Sequence, residues 1–356
     1  MSMLVVAFAL GCILGFAAHR ASVCTVRAVA EVMSERSAIM FAGVGRSWLW
    51  IWAVMFSFLW LVPAAAGVNG WTLSGFALLG GLAFGLGAAL NGACAYSTMA
   101  RLADGEGAML VAIIGFAAGT GVFALLLDGH WLARPKPAPV LLGAVTSWSF
   151  VLAIGFGAFA IFEGVRLWGT RERGGSWRDL VLARRYRVST AAMLIGLSGA
   201  VLFLLFGPFG YTSTFDLLIE RLLGTGAAAP STVRWVLLTA VLAGMLISTL
   251  QRGSFRLDLR PRRAWLLNFI GGMLMGFGAA LAPGGNDALV MYGVPSLSPY
   301  ALPTYAALVA GVAGGLLILR AVAGFRPKVE FRNDVFIADS WTRPLPGDVT
   351  PPAPRG

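Results

Sequence analysis

Long apolar runs alternate with short polar connections along most of this chain. A helix that crosses the hydrocarbon core of a bilayer needs about 20 predominantly apolar residues. Runs near that length lie at 3–18, 39–62, 71–90, 107–127, 148–168, 188–206, 233–250, 264–281 and 299–320. The pattern predicts an all-α polytopic membrane protein with about nine transmembrane helices.

Composition agrees with a membrane location. Hydrophobic residues make up 58% of the chain and charged residues 12%, whereas soluble domains carry about 25% charged residues. The net charge of +11 arises mainly from arginines that lie between the apolar runs. This placement bears on membrane orientation, because a nucleic-acid-binding protein gathers its basic residues on one surface. We therefore expect the lipid bilayer, and no nucleic acid, as a partner.

The arginine-rich connections predict which side of the membrane is cytoplasmic, since lysine and arginine are enriched in cytoplasmic loops. Connections 169–187 and 251–263 are rich in arginine, whereas 63–70, 224–232 and 282–298 contain no lysine or arginine. With nine crossings, the amino terminus lies outside and the carboxyl terminus in the cytoplasm. We expect a multi-pass protein of the bacterial inner membrane. The arginines of the two rich connections are Arg171, Arg173, Arg178, Arg184, Arg185, Arg187, Arg252, Arg256, Arg260, Arg262 and Arg263.

One glycine-containing string occurs twice. Gly85-Leu86-Gly87-Ala88-Ala89-Leu90 returns as Gly276-Phe277-Gly278-Ala279-Ala280-Leu281. The first copy leads toward the cytoplasm and the second leads outward, because one extra helix near 148–168 separates two groups of four. The sequence thus predicts inverted repeats, which commonly hold the substrate path near the bilayer midplane at their interface.

These features divide the chain into a transporter domain over 1–325 and a tail. Repeat 1 covers about 1–127, and repeat 2 covers about 188–322. The tail over 326–356 is rich in proline and has no periodic apolar pattern, so we predict that it is a disordered cytoplasmic extension.

A fixed spacing relates the repeat to cysteine. A step of nine residues joins Gly85 to Cys94, Gly15 to Cys24, Gly276 to Gly285 and, in a looser match, Gly207 to Asp216. Each half then has two segments that are too short to be simple hairpins between helices. We predict that four segments dip from opposite faces toward the middle, where non-helical backbone is tolerated if protein or a wet cavity surrounds it.

The residues at these four points are suited to an anion. A helix that begins just after each point directs free N–H groups and a positive dipole end toward the midplane. Arg20, Arg27 and Arg101 either attract the anion or only reflect the enrichment of lysine and arginine in cytoplasmic loops. Asp287 is unexpected there, because a buried carboxylate either repels an anion or takes up a proton. The candidate substrate-binding residues are Cys24, Cys94, Gly285, Asn286, Arg20, Arg27 and Arg101.

The cysteines do not have the spacing of a metal or redox motif. Cys12, Cys24 and Cys94 are the only cysteines of the chain, and their separations fit neither a zinc site nor a Cys-x-x-Cys pair. We predict no metal and no cofactor, and we interpret Cys12 as a packing residue.

These motifs resemble those of the YeeE/YedE family of sulfur-compound permeases, over roughly residues 3–322. The segments that carry the resemblance are Gly15-Phe16-Ala17 with Arg20 and Cys24, Gly85 with Gly92-Ala93-Cys94, and the Gly276 repeat. The resemblance implies an hourglass-like fold and the uptake of thiosulfate along cysteine thiols. Cys24 and Cys94 match the first two family cysteines, whereas Gly285 or its neighbour Gly284 stands at the third.

The sequence favours a permease for thiosulfate or a related small sulfur-containing anion, with no catalytic residues. A neutral thiol is a weak, polarisable donor that binds a sulfur-bearing anion without trapping it. A cytoplasmic sulfur-carrier protein is a further candidate partner. Two alternatives remain open: a membrane-embedded thiol or persulfide redox enzyme, and a non-selective small-anion channel. If the missing third thiol limits transport, Gly285→Cys is expected to improve thiosulfate use.

Overall fold

The computed structural model describes residues 2–61, 69–129, 132, 135–140, 147–169, 183–225, 228–262 and 264–342. This part of the chain contains nine helices that are long and apolar enough to cross a membrane. They are α1 (Ser2–Arg20), α3 (Ile39–Leu61), α4 (Gly75–Asn91), α6 (Gly107–Asp128), α7 (Ser147–Gly169), α8 (Val188–Phe206), α10 (Thr232–Arg252), α11 (Ala264–Leu281) and α13 (Ala301–Ala323). The prediction of an all-α polytopic membrane protein is confirmed.

Four shorter helical segments lie between the long ones. They are α2 (Thr25–Glu35), α5 (Ala95–Ala103), α9 (Tyr211–Leu222) and α12 (Asn286–Ala288), the last of which continues as a π-helical turn over Leu289–Gly293. Each comes at one of the four points where the sequence predicts a dip. The connections that contain them are called here the first to fourth re-entrant segments: 21–38, 92–106, 207–231 and 282–300.

The ends of the long helices agree with the apolar runs to within four residues. The largest difference is at the start of α4, where the run begins at residue 71 but the helix begins at Gly75. Trp71 belongs instead to a short strand, β1 (Asn69–Trp71), which pairs antiparallel with β2 (Pro137–Pro139). The hydroxyl of Ser74 then caps the helix by accepting the Ala77 N–H at 3.1 Å, a common way for a helix to begin.

The two copies of the glycine repeat pack against each other in opposite directions. A β-carbon at Gly80 of α4 would lie 2.7 Å from the backbone nitrogen of Ala282, and one at Gly87 would lie 2.7 Å from that of Met275. Later residues of α4 thus meet earlier residues of α11. Such close approach between helices requires small residues at the contact.

In the remaining contacts between long helices, each helix of one repeat packs on a helix of the other repeat. The first long helix of repeat 1, α1, packs on the second long helix of repeat 2, α10. Conversely, the second long helix of repeat 1, α3, packs on the first long helix of repeat 2, α8. In the same way α4 packs on α13, and α6 packs on α11. An inverted repeat has this exchange of equivalent contacts. The linking helix α7 packs mainly on α3 and leaves large apolar side chains exposed, as expected of a helix that faces lipid.

The prediction of a disordered tail is wrong for its first part. Val329–Arg332 (β3) and Val335–Asp339 (β4) form an antiparallel hairpin, called here the C-terminal hairpin. Its turn is fixed on α8, because the Val188 N–H donates to the Asp334 carbonyl at 2.7 Å and the Ser189 N–H to the Asp334 carboxylate at 3.0 Å. Tertiary contacts, rather than an apolar pattern, therefore order this segment. Residues 343–356 of the tail, with Arg171, Arg173, Arg178 and Arg263, lie outside the described residues.

Candidate functional site

The four re-entrant segments meet at the centre of the bundle. Each has an N-cap residue with extended or near-extended backbone directly before its short helix: Cys24 before α2, Cys94 before α5, Gly210 before α9 and Gly285 before α12. The first three of these helices are nine residues or longer, so their free N–H groups favour negative charge at the centre.

Cys24 and Cys94, called here the thiol pair, are in direct contact. The Cys94 N–H donates to the Sγ of Cys24 at 3.5 Å. The two side chains are 1% and 0% exposed, and neither is in a disulfide. The sequence placed these thiols on separate loops, and the fold brings them together.

Asn286 of the fourth segment lies against the first segment. Its Oδ1 accepts a hydrogen bond from the Thr25 hydroxyl at 3.0 Å, and both side chains are buried. Two tryptophans of α3 hold the fourth segment in position: Trp48 donates to the Val290 carbonyl at 3.1 Å and Trp52 to the Pro295 carbonyl at 2.8 Å. The candidate amide is thereby fixed beside the thiol pair.

Gly285 and Asp287 contact the third segment through Thr212. The Thr212 hydroxyl donates to Asp287 Oδ1 at 2.5 Å and accepts the Gly285 N–H at 3.1 Å, while the Thr212 N–H donates to Asp287 Oδ2 at 3.1 Å. A carboxylate thus occupies the start of α9. Sequence spacing pointed to Asp216 instead, but that carboxylate accepts from Thr120 of α6 at 2.9 Å. No spacing rule marked Thr212.

The place of the missing third thiol is already filled. A β-carbon at Gly285 would lie 2.8 Å from the Thr212 Cγ2 and 2.9 Å from the Phe84 Cε2. These distances are shorter than real β-carbons tolerate, so a cysteine there must displace one of the two side chains. The expectation that Gly285→Cys improves transport therefore conflicts with the packing around Thr212.

A cavity of about 170 Å³, called here the arginine vestibule, opens on the face where α10 ends. Val23, which directly precedes Cys24, and Ser97, which lies three residues after Cys94, form part of its wall together with the C-terminal hairpin. The Ser97 hydroxyl is buried and has no hydrogen-bond partner in the described part of the chain. The charged residues and histidine that line the vestibule are Arg27, Arg101, Arg185, Arg252, Arg256, His19, Asp104, Glu106 and Asp339.

The candidate arginines have different surroundings. Arg27 and Arg101 line the vestibule, the first paired with Asp339 and the second with Glu106 at 2.7 Å. Arg20 is 1% exposed and donates to Ser248 at 2.9 Å, away from the vestibule lining. Five arginines face three carboxylates in this cavity, so it has an excess of positive charge.

Two carboxylates that line the vestibule, Asp339 and Asp104, are held in the ionised form. Burial raises the pKa of Asp339, but the charge and hydrogen bond of Arg27 outweigh it, so the net pKa lies below its usual value. Burial likewise raises the pKa of Asp104, whereas hydrogen bonds from His19 and Ser254 and the charge of Arg252 bring it below the usual value. Charged partners stabilise an ionised carboxylate in this way.

Two small cavities lie at the centre, beyond the thiol pair. One of about 30 Å³ is lined by Thr25, Tyr96 and Asn286, and one of about 20 Å³ by Tyr96, Asp287 and Arg234. A cavity of about 10–15 Å³ suffices for one water molecule. The vestibule therefore admits a small hydrated anion, whereas the central cavities admit little more than water in this conformation.

Comparison with known proteins decides the family. The family model described as sulphur transport matches residues 20–314, which is most of the chain. This protein belongs to the sulfur transport family. The match contains all four re-entrant segments, and the resemblance to the YeeE/YedE permeases is confirmed. As a member of this family, the protein is a multi-pass membrane transporter of sulfur compounds. No curated protein matches the chain.

The C-terminal hairpin of this sulfur transporter lies beyond the match, since β3 begins at Val329. Within the part that the structure describes, no group of three His, Cys, Asp or Glu side chains is arranged to hold a metal ion.

Proposed function

We propose that this protein is a permease of the bacterial inner membrane that takes up thiosulfate or a related small sulfur-containing anion along the thiol pair. The observation that carries the proposal is the contact between two fully buried, unlinked cysteines at the starts of two helices. These are the two cysteines that the family resemblance identifies as substrate contacts.

The chemistry of the thiol pair suits a sulfur anion. The Cys24 Sγ accepts the Cys94 N–H, and each neutral thiol carries one S–H group that can donate to a substrate. A thiol is a weak and polarisable donor, and weak binding at successive sites allows an ion to leave as well as enter. The starts of α2 and α5 add a positive dipole end without a fixed charge that would trap the anion.

The arginine vestibule supports a direction for the path. We assign it to the cytoplasmic side, because arginine is enriched in cytoplasmic connections. The amino terminus is then outside. Anions that pass the thiol pair would enter a cavity with surplus positive charge, from which a cytoplasmic sulfur-carrier protein could collect them.

Growth of a sulfur-auxotrophic host tests this proposal. The host, expressing this protein, is grown with thiosulfate, sulfate or sulfite as the only sulfur source. The proposal predicts growth on thiosulfate that is lost with Cys24→Ala or Cys94→Ala and retained with Cys12→Ala, because Cys12 lies on α1 away from the thiol pair. Growth that is independent of both central cysteines contradicts it.

The two alternative functions give different results. A non-selective channel passes sulfate or nitrite as readily as thiosulfate in vesicles that contain the purified protein. A thiol or persulfide redox enzyme requires a reactive thiolate, so Cys24 or Cys94 would be alkylated fast at neutral pH in the detergent-solubilised protein. The permease proposal predicts selectivity for thiosulfate and slow alkylation of both buried thiols.

A further inference from the structure

Asp287 is a buried carboxylate without a cationic partner. Its side chain is 1% exposed, and in the described part of the chain it forms no salt bridge with a lysine, arginine or histidine. Its oxygens accept hydrogen bonds from the N–H and the hydroxyl of Thr212. An ionisable residue at membrane depth is expensive to keep charged, and such residues commonly mark ion or proton pathways.

The groups around Asp287 come from several elements and are neutral except for one. Tyrosine rings from α5, from α9 and from the end of the fourth re-entrant segment interact with its charge: Tyr96, Tyr211, Tyr292 and Tyr300. The exception is Arg234 near the start of α10, which lines the same 20 Å³ cavity but hydrogen-bonds to Ser213 at 3.3 Å and to the Pro208 carbonyl at 3.4 Å instead.

This cavity lies between Asp287 and the face opposite the vestibule. Arg234 belongs to the first turn of α10, whose last residue, Arg252, lines the vestibule. The cavity is large enough for a water molecule, which could relay a proton to the Asp287 carboxylate from the side of Arg234. Among the described residues that line the central cavity next to Asn286 there is no carboxylate.

An ionised Asp287 and a transported anion repel each other, because both carry negative charge. The carboxylate occupies the start of α9, which would otherwise favour an anion, and it repels any anion that approaches from the thiol pair. A proton on the carboxylate removes this charge. Protonation and anion passage therefore favour each other, and linkage makes such coupling reciprocal.

We propose that Asp287 binds one proton from the outer side for each sulfur anion that passes, which makes this protein a proton–anion symporter. The proton adds to a carboxylate oxygen, no other bond changes, and the same proton leaves to the cytoplasmic side after the anion. This proposal rests on the proposed permease function and adds its energy source.

Proteoliposomes with labelled thiosulfate and an internal pH dye test the coupling. Membrane voltage is held at zero with potassium and valinomycin. With an outside that is one pH unit more acidic, one coupled proton gives about tenfold accumulation of thiosulfate inside, and thiosulfate entry acidifies the lumen. Asp287→Asn is expected to allow downhill entry only, without accumulation or acidification. Asp216 is a buried carboxylate of α9 that does not line this cavity. The control variant Asp216→Asn is therefore expected to keep both thiosulfate accumulation and lumen acidification.

The outcomes separate the two proposals. Thiosulfate entry into wild-type vesicles without lumen acidification, or tenfold accumulation by Asp287→Asn, overturns the symport proposal and leaves the permease standing. The absence of any thiosulfate entry into wild-type vesicles overturns both. Since the wild-type measurement alone can reject coupling, the test does not depend on the folding of Asp287→Asn.

Discussion

The guanidinium of Arg27 donates to the carboxylate of Asp339, and this ion pair joins the first re-entrant segment to the C-terminal hairpin. Arg27 is three residues after Cys24 in the chain, and its guanidinium also lies 4.8 Å from the ring centre of Phe336. Trp341, which follows the hairpin, packs against Gly92 of the second re-entrant segment, and a β-carbon at Gly92 would lie 2.5 Å from the Trp341 Cδ1. The hairpin therefore closes one side of the vestibule next to the thiol pair.

Removal of the Asp339 carboxylate is expected to release the hairpin. Breaking a buried pair by deleting one partner typically costs about 3–5 kcal/mol, because a charge is left buried and unpaired. In Asp339→Ala the hairpin can undock and let water reach Arg27. Limited trypsin digestion at Arg326, Lys328 and Arg332 measures this, and we expect cleavage at least tenfold faster than in wild type.

Glu330→Ala is the matched control for that experiment, since Glu330 is on the same hairpin but exposed. Equal trypsin resistance of Asp339→Ala and wild type would show that the ion pair does not hold the hairpin in place.

The docking of the hairpin is expected to weaken in acid. The pKa of Asp339 in the folded protein lies below its ordinary value of 3.8, so the stability it contributes is complete above about pH 4 and is lost as the pH falls through the folded pKa. The anisotropy of a dye attached to Glu330→Cys reports hairpin mobility. In the labelled Glu330→Cys protein, the anisotropy should decrease as the pH drops below about 4. When Asp339→Asn is added to that variant, the anisotropy should be low at every pH. A flat anisotropy profile down to pH 2 would contradict the role of this pair.

A cysteine at position 285 is expected to impair the protein, although it restores the family pattern. The side chain would displace Thr212 or Phe84, and overpacking of this kind costs about 1–3 kcal/mol. Displaced Thr212 would also lose its hydrogen bonds to Asp287. We expect Gly285→Cys to lower thermal stability in detergent and to reduce thiosulfate uptake. Gly155→Cys on α7, where nothing lies within 4 Å of the new β-carbon, controls for an added thiol. Faster uptake by Gly285→Cys would refute this packing argument.

Close contact between the halves makes a second set of glycines sensitive. A β-carbon at Gly85 would lie 2.1 Å from the Leu308 carbonyl oxygen, and one at Gly276 would lie 2.0 Å from that of Phe116. These are equivalent positions of the two repeats, and each meets backbone, which cannot rotate away. Gly85→Ala and Gly276→Ala should lower the melting temperature by similar amounts, while Gly157→Ala on α7 should not. A change in only one of the two would argue against equivalent packing.

The sequence predicted the long helices well because each must be apolar along its whole length to cross a bilayer. Their glycine repeat and charged connections also predicted that the halves are inverted. The hairpin was missed because its order comes from Asp334 and Asp339, which act through distant partners and not through a local pattern. The pairing of Thr212 with Asp287 was missed for a similar reason: the nine-residue spacing identifies Gly285 but not the side chain that fills the space beside it.

The two cysteines of the thiol pair lie seventy residues apart in the chain, and the fold brings them into contact at the centre of the bundle. Each donates a weak hydrogen bond to the passing anion in this account. A lost contact to a buried group costs about 1–3 kcal/mol, which corresponds to roughly a fivefold to 150-fold reduction in rate.

Initial uptake of ³⁵S-labelled thiosulfate into proteoliposomes tests the account most directly, with Cys24→Ala, Cys94→Ala and Cys12→Ala reconstituted at equal density. We predict that uptake falls at least about fivefold in each of the first two variants and is unchanged in Cys12→Ala, with all three eluting as folded protein in size-exclusion chromatography. Wild-type rates of uptake in both Cys24→Ala and Cys94→Ala would contradict a path along the thiol pair.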